Sequence, residues 1–159
     1  MSKRLIALFA LVIMLSGLIS SPARANVLTD VTYDCATGSI TNTEPTFTIV
    51  ADTITSASAC VGTITIPSGV KSIGGYSFQA TTLSSIAIPA TVTTIDDVAF
   101  NSSPSLTSVT FESSSQLTSI GEFAFSDTGI SGITLPLGLT SIGYGLSTRI
   151  RWTVLYCAK

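Results

Sequence analysis

The chain has 159 residues, with nine acidic side chains, seven basic side chains and no histidine. The lack of histidine removes the commonest general base and the commonest metal ligand of proteins, so an enzyme is not expected. Three of the basic residues lie within the first 25, and the remainder therefore carries four basic side chains against nine acidic ones. A surface of this sign repels phosphate backbones, so no nucleic-acid partner is expected.

Residues 1–25 have the organisation of a secretory signal peptide. The basic pair Lys3-Arg4 precedes an apolar run over residues 5–19, and an Ala-Arg-Ala sequence ends at Ala25. A retained membrane helix would need about 20 apolar residues, which is longer than this run. We therefore expect cleavage after Ala25 and an exported product, secreted or held at a bacterial cell surface, without a membrane span.

Residues 26–60 are rich in threonine, valine and isoleucine, and their alternation predicts short strands. We interpret this segment as an N-terminal cap, because the open end of a repeat array needs a polar outer face. Cys35 and Cys60 flank most of it, and we expect them to form a disulfide in an oxidising compartment. The alternative is two unpaired, half-buried thiols.

Residues 61–146 contain four copies of one phrase. They read "ITIPSGVKSIGGYSF" from Ile64, "IAIPATVTTIDDVAF" from Ile86, "VTFESSSQLTSIGEFAF" from Val109 and "ITLPLGLTSIGYGLS" from Ile133. The first two copies start 22 residues apart, the third starts 23 further on, and the third is two residues longer in its middle. Four copies in register indicate a repeat architecture.

Each copy predicts two short strands and a corner. The Ile-x-Ile step has the period of a strand, and a proline at 67, 89 and 136 ends it. A second run, Val-x-Ser-Ile in the first copy, turns its apolar ends inward. We expect a tight corner with positive φ at the next residue, which is Gly74, Asp96, Gly121 or Gly143. Stacked copies would form a solenoid with parallel strands and a column of Phe78, Phe100 and Phe125.

These residues resemble the BspA-type leucine-rich repeat of bacterial surface and secreted proteins. The second and third copies carry the resemblance in Leu83, Ile86, Ile88, Pro89, Val92, Ile95, Ala99 and Phe100, and in Leu106, Val109, Phe111, Leu117, Ile120, Gly121, Ala124 and Phe125. Copy three departs from the pattern by lacking the proline and inserting Ser113-Ser114-Ser115, and copy four has Ser147 where a phenylalanine is due. The resemblance implies a mainly β, right-handed solenoid of about four coils, with parallel strands and short turns on the convex side.

The resemblance also implies a function in protein binding. In leucine-rich repeats the outward strand positions form one exposed face, here Thr63, Thr65, Ser85, Ala87, Ser108, Thr110, Glu112, Gly132 and Thr134. We expect an exported, non-enzymatic module for binding or adhesion at the cell surface, with host matrix or neighbouring cells as ligands and no cofactor, metal or catalytic residue. The alternative is a structural spacer or a truncated fragment of a longer array with no ligand of its own.

The segment 147–159 departs from the serine- and threonine-rich composition of the repeats. It contains three basic residues, the one tryptophan and Cys157, which is either free or in an intermolecular bond. One interpretation is a capping strand over "RWTVLY". The other, which we favour slightly, is an interrupted array whose end follows from a truncation or a shifted reading frame.

Overall fold

The computed structural model describes residues 31–35, 46–57, 60–146 and 151–154. The expected signal peptide and Cys157 lie outside these residues. The described residues are mainly β and include no helix. They contain the strands β1 (Val31–Asp34), β2 (Thr46–Val50), β3 (Thr53–Ser56), β4 (Val61–Thr65), β5 (Ser72–Ile73), β6 (Thr82–Ile88), β7 (Thr94–Ile95), β8 (Ser108–Phe111), β9 (Ser119–Ile120), β10 (Gly132–Leu135), β11 (Ser141–Ile142) and β12 (Arg151–Val154).

The strands form a solenoid of about four coils, as the repeat predicted. The first three coils contribute their longer strands to one sheet, in the order β4-β6-β8, and the longer strand of the fourth coil, β10, pairs with β12. The two-residue strands of all four coils belong to another sheet, in the order β1-β2-β3-β5-β7-β9-β11. From β3 onward the second sheet is parallel, and Ile73, Ile95 and Ile120 are directly in register. The prolines act as expected: β6 and β10 end at the residue before Pro89 and Pro136.

The core lies between the two sheets and continues through all coils. The phenylalanine column is confirmed, because the rings of Phe78, Phe100 and Phe125 stack at centroid distances of 4.9 and 5.1 Å with all three side chains fully buried. Offset stacking at such distances contributes about 0.5–1.5 kcal/mol per pair beyond the burial of area. The recurring phenylalanine is therefore a structural residue.

The corner differs from the prediction. None of Gly74, Asp96, Gly121 and Gly143 has a positive φ; the left-handed residue comes two positions later, at Tyr76 (φ 61°), Val98 (φ 62°), Phe123 (φ 54°) and Gly145 (φ 74°).

Glycine recurs before the corner for a different physical reason, which is the lack of space for a side chain. A Cβ added at Gly74 would lie 2.6 Å from the main-chain oxygen of Ile54, and one at Gly121 would lie 2.5 Å from the amide nitrogen of Asp97. Glycine at these positions therefore lets successive coils approach closely.

The N-terminal strands join the stack through one antiparallel hairpin. β1 pairs with β2 and β2 with β3, both antiparallel, and β3 then pairs in parallel with β5. The disulfide between Cys35 and Cys60 is present, with Cα atoms 5.6 Å apart and a sequence separation of 25. It ties the end of β1 to the start of β4, and in the chain-entropy model a loop of this length stabilises by about 3 kcal/mol.

The tail contributes a strand. β12 pairs in parallel with β10, with Gly132 opposite Arg151 and Leu135 opposite Val154. This strand lies within the "RWTVLY" segment, and the choice between a capping strand and an interrupted array stays a prediction. In the second sheet, the last strand β11 exposes 46% of Ile142, whereas the equivalent Ile73, Ile95 and Ile120 are buried.

Candidate functional site

The nine residues of the expected binding face lie together on one side of the long strands. All point outward: eight are exposed, and Ser85 is half-buried. The parallel register places Thr63, Ser85 and Ser108 in one row and Thr65, Ala87 and Thr110 in the next. We call this surface, formed by the nine residues predicted above, the strand face.

The strand face is flat, hydroxyl-rich and nearly uncharged. The hydroxyls of Thr63 and Ser85 lie 2.8 Å apart and hydrogen-bond across neighbouring coils. Glu112 is the one ionisable residue of the face. Its carboxylate accepts a hydrogen bond of 2.9 Å from the backbone N–H of Ala90, which fixes it at the end of β8 where the other copies have proline.

A cleft interrupts the strand face between the third and fourth coils. β8 and β10 lie side by side but are not paired, so the β4-β6-β8 sheet ends at β8 and β10 pairs only with β12 among the described strands. The opening has a volume of about 480 Å³. Its lining includes Thr110, Glu112, Gly132 and Thr134 of the strand face together with Phe111, Leu137 and the serines 113–115.

The sequence positions of the strand face were predictable, but the cleft was not. The available signal was the third copy, which has Glu112 in place of proline and the inserted Ser113-Ser114-Ser115. These residues line the cleft, and Leu137, which is 60% exposed, lies on its other side. Small-molecule and peptide sites are concave and apolar with a few polar groups, and this cleft has that character.

Among the residues that the structure describes, no group of three or more cysteine, aspartate or glutamate residues lies close enough together to hold a metal ion. The same residues contain no helix with the length and apolar character needed to span a membrane. The one clear change in acidity concerns Tyr144, whose pKa is raised because its hydroxyl donates a hydrogen bond to the Glu122 carboxylate, with the negative charge of Glu122 adding to the effect.

Comparison with known proteins agrees with this architecture. A leucine-rich repeat protein from Bacteroides capillosus has a TM-score of 0.55 at 24% identity, over 73% of this chain and 98% of that one. The pneumococcal vaccine antigen PcpA has a TM-score of 0.50 at 19% identity, over 76% of this chain and 39% of that one. A leucine rich cell surface protein from Faecalibacterium prausnitzii has a TM-score of 0.47 at 25% identity, over 69% and 41% of the two chains.

No curated protein sequence matches significantly. The family described as "BspA type Leucine rich repeat region (6 copies)" matches over residues 32–147, which begins within the segment expected to form the cap. The match spans well over half of the chain and includes the coils, the phenylalanine column and the strand face described above. The chain therefore belongs to the BspA-type leucine-rich repeat family.

Proposed function

We propose that this protein is an exported, non-enzymatic repeat module that binds a protein ligand at the cell surface through the strand face, with the cleft as its anchoring point. The observation that carries the proposal is the cleft itself. In the cleft the hydroxyl-rich strand face meets two apolar side chains, Phe111 and Leu137, in a concave setting. Tight interfaces are centred on such anchors, and the surrounding hydroxyl rows would exclude water from them.

The chemistry of the strand face favours weak binding of a ligand by a single copy of the protein. Small hydroxyl and methyl groups offer area and hydrogen bonds but few of the aromatic and arginine side chains that dominate binding energy. Useful adhesion would then come from many copies at one surface, since multivalency multiplies weak affinities. Matrix proteins and the surfaces of neighbouring cells are the ligand classes that suit this mode, and a bacterial surface or extracellular location suits the family.

The experiment is a binding assay with the purified chain on immobilised matrix proteins and on whole cells. Thr134→Arg and Leu137→Ala change exposed residues of the cleft, and we expect each to weaken binding by about five- to tenfold. Ser105→Arg adds the same charge at an exposed site outside the strand face and is expected to have no effect. A lack of saturable binding, or equal effects of Thr134→Arg and Ser105→Arg, would contradict the proposal.

A spacer role within a longer array is the second candidate. The exposed Ile142 favours it, because this side chain occupies a position that is buried wherever another coil follows. Inspecting the nucleotide sequence beyond the codon for Leu146 for further copies in another frame tests this candidate directly.

A further inference from the structure

A second surface lies at the corners that follow β5, β7, β9 and β11 of the seven-stranded sheet. We call it the corner ridge and define it as Tyr76, Val98, Phe123 and Tyr144. Among the aromatic side chains that the structure describes, the exposed ones all belong to this ridge: Tyr76 at 64%, Phe123 at 39% and Tyr144 at 66%. Exposed apolar side chains that cluster in this way mark interaction sites more often than side chains scattered singly.

Two members of the ridge on adjacent coils are in direct contact. The backbone N–H of Phe123 donates to the carbonyl of Tyr144 at 2.9 Å, and the two rings meet edge to face with centroids 5.1 Å apart. The N–H of Val98 donates to the carbonyl of Glu122, the residue before Phe123, at 2.8 Å, so the corners of the second and third coils are also joined. Neighbouring strands are about 4.8 Å apart, so the ridge from Tyr76 to Tyr144 is about 14 Å long and matches roughly four residues of extended chain.

Tyr76 has an exposed ring at a left-handed corner position. Its φ is 61°, and the equivalent Val98 and Phe123 have φ values of 62° and 54°, so this backbone conformation belongs to the repeat. The ring of Tyr76 is 64% exposed, so its apolar surface contributes little to the core and is accessible to a partner.

Carboxylates accompany the aromatic rings on adjacent coils. Asp97 accepts a hydrogen bond of 2.7 Å from the backbone N–H of Glu122, and the carboxylate of Glu122 accepts one from the Tyr144 hydroxyl. No basic residue occurs in residues 72–148, so the coils that carry Val98, Phe123 and Tyr144 supply no counter-charge of their own, and the coil of Tyr76 supplies only Lys71. Ring faces also attract cations, especially guanidinium groups. The carboxylates and the aromatic rings therefore both favour a positively charged side chain of a partner.

We propose that the corner ridge binds a short, extended, arginine- or lysine-containing segment of a partner protein. The cationic groups lie over the rings of Tyr76, Phe123 and Tyr144 and pair with Asp97 and Glu122. Alternate side chains of an extended segment are about 6.6 Å apart, so two cations fit along the ridge. This site is separate from the strand face and does not depend on the function proposed for it.

The test uses the full chain and a fluorescein-labelled octapeptide of alternating arginine and serine, with a glutamate-serine octapeptide as the control ligand. We expect saturable binding of the first peptide by fluorescence anisotropy, weakening as salt is added, and no binding of the second. Tyr144→Ala and Glu122→Gln should each weaken binding by about two- to fivefold, and Tyr144→Phe, which keeps the ring, should stay within about twofold of the parent.

Glu112→Gln is the matched control, because it removes one exposed carboxylate from the strand face and should leave the affinity for the arginine peptide unchanged. An equal loss in Glu112→Gln and Glu122→Gln would overturn the proposal, since net charge alone would then explain the binding. Absence of binding of the arginine peptide would also overturn the proposal. The same holds if a neutral hexasaccharide binds instead and Tyr144→Ala weakens that binding. Thr134→Arg, which tests the strand face, should not change peptide binding, so failures of the two proposals are distinguishable.

Discussion

Replacing either of two buried serines by alanine should change the free energy of unfolding, and the two changes should have opposite signs. Ser77 is 1% exposed, and its hydroxyl has no hydrogen-bond partner. The equivalent residues in the next two coils are Ala99 and Ala124, which are fully buried. Ser77→Ala should therefore fit the backbone and remove an unsatisfied hydroxyl, whose burial costs about 1–3 kcal/mol.

The expected gain in the free energy of unfolding of Ser77→Ala is the difference between two opposing effects. Removing one oxygen leaves a small void, which costs a few tenths of a kcal/mol at about 24 cal/mol per Å³. The net effect should be a stabilisation of about 1–2 kcal/mol. With an m-value of about 2 kcal/mol/M, the urea midpoint should rise by about 0.5–1 M at unchanged m. Circular dichroism of the oxidised protein measures this midpoint.

Ser103→Ala is the control for this reasoning. Ser103 is equally buried, but its hydroxyl donates to the carbonyl of Phe78 at 2.9 Å and accepts from the backbone N–H of Thr81 at 3.1 Å. Removing it leaves the Thr81 amide without that partner, and we expect a loss of about 1–3 kcal/mol. A fall in the urea midpoint for Ser77→Ala, or a shift of the same sign in both variants, would refute the argument.

Three further predictions concern substitutions in the turns and in the corner ridge. Gly74→Ala should destabilise by more than about 2 kcal/mol in urea unfolding, because its Cβ would meet backbone at 2.6 Å, whereas Gly138→Ala, with its nearest atom at 3.5 Å, should change little. Ala51→Asn should raise the thermal midpoint by stabilising about 0.5–1 kcal/mol, since Ala51 has a φ of 47° in the β2–β3 hairpin turn and asparagine favours such turns. Glu122→Gln should lower the pKa of Tyr144 toward its usual value of 10.0, as measured by difference absorbance titration against the parent. Because the pKa of Tyr144 is raised in the folded state, the side chain stabilises the fold below pH 10, and this stabilisation is lost as the pH rises through the pKa of the folded state. Glu122→Gln should therefore make the free energy of unfolding less dependent on pH in this range.

The stacking of the coils was predictable because it depends on spacing alone. Phe78 and Phe100 are 22 residues apart, as are Ile64 and Ile86, and an equal spacing brings equivalent residues into register. The outward strand positions followed from the same alternation. The Cys35–Cys60 pair followed from the expected oxidising compartment and is present.

The corner and the cleft were not predictable for physical reasons. A recurring glycine satisfies either a positive φ or a close approach of backbone, and the sequence pattern is the same for both. At Gly74 and Gly121 the second reason applies, while Val98, a β-branched residue, takes the left-handed conformation that propensity disfavours. The cleft lies between two unpaired strands and is lined by the loop at 113–115, and no local propensity encodes the path of that loop.

The insertion in the third coil shows where this architecture accepts extra length. Across it, Ile95 and Ile120 are 25 residues apart yet directly paired, and the next pair, Ile120 and Ile142, returns to 22. The added residues therefore leave the pairing of the two-residue strands unchanged, while the cleft between β8 and β10 lies beside them. Lengthening such a loop adds only a small closure entropy. Foreign peptides grafted at 113–115 should be displayed beside the cleft with the two-residue strands still paired, so this loop is the natural point for diversifying the protein into new binders.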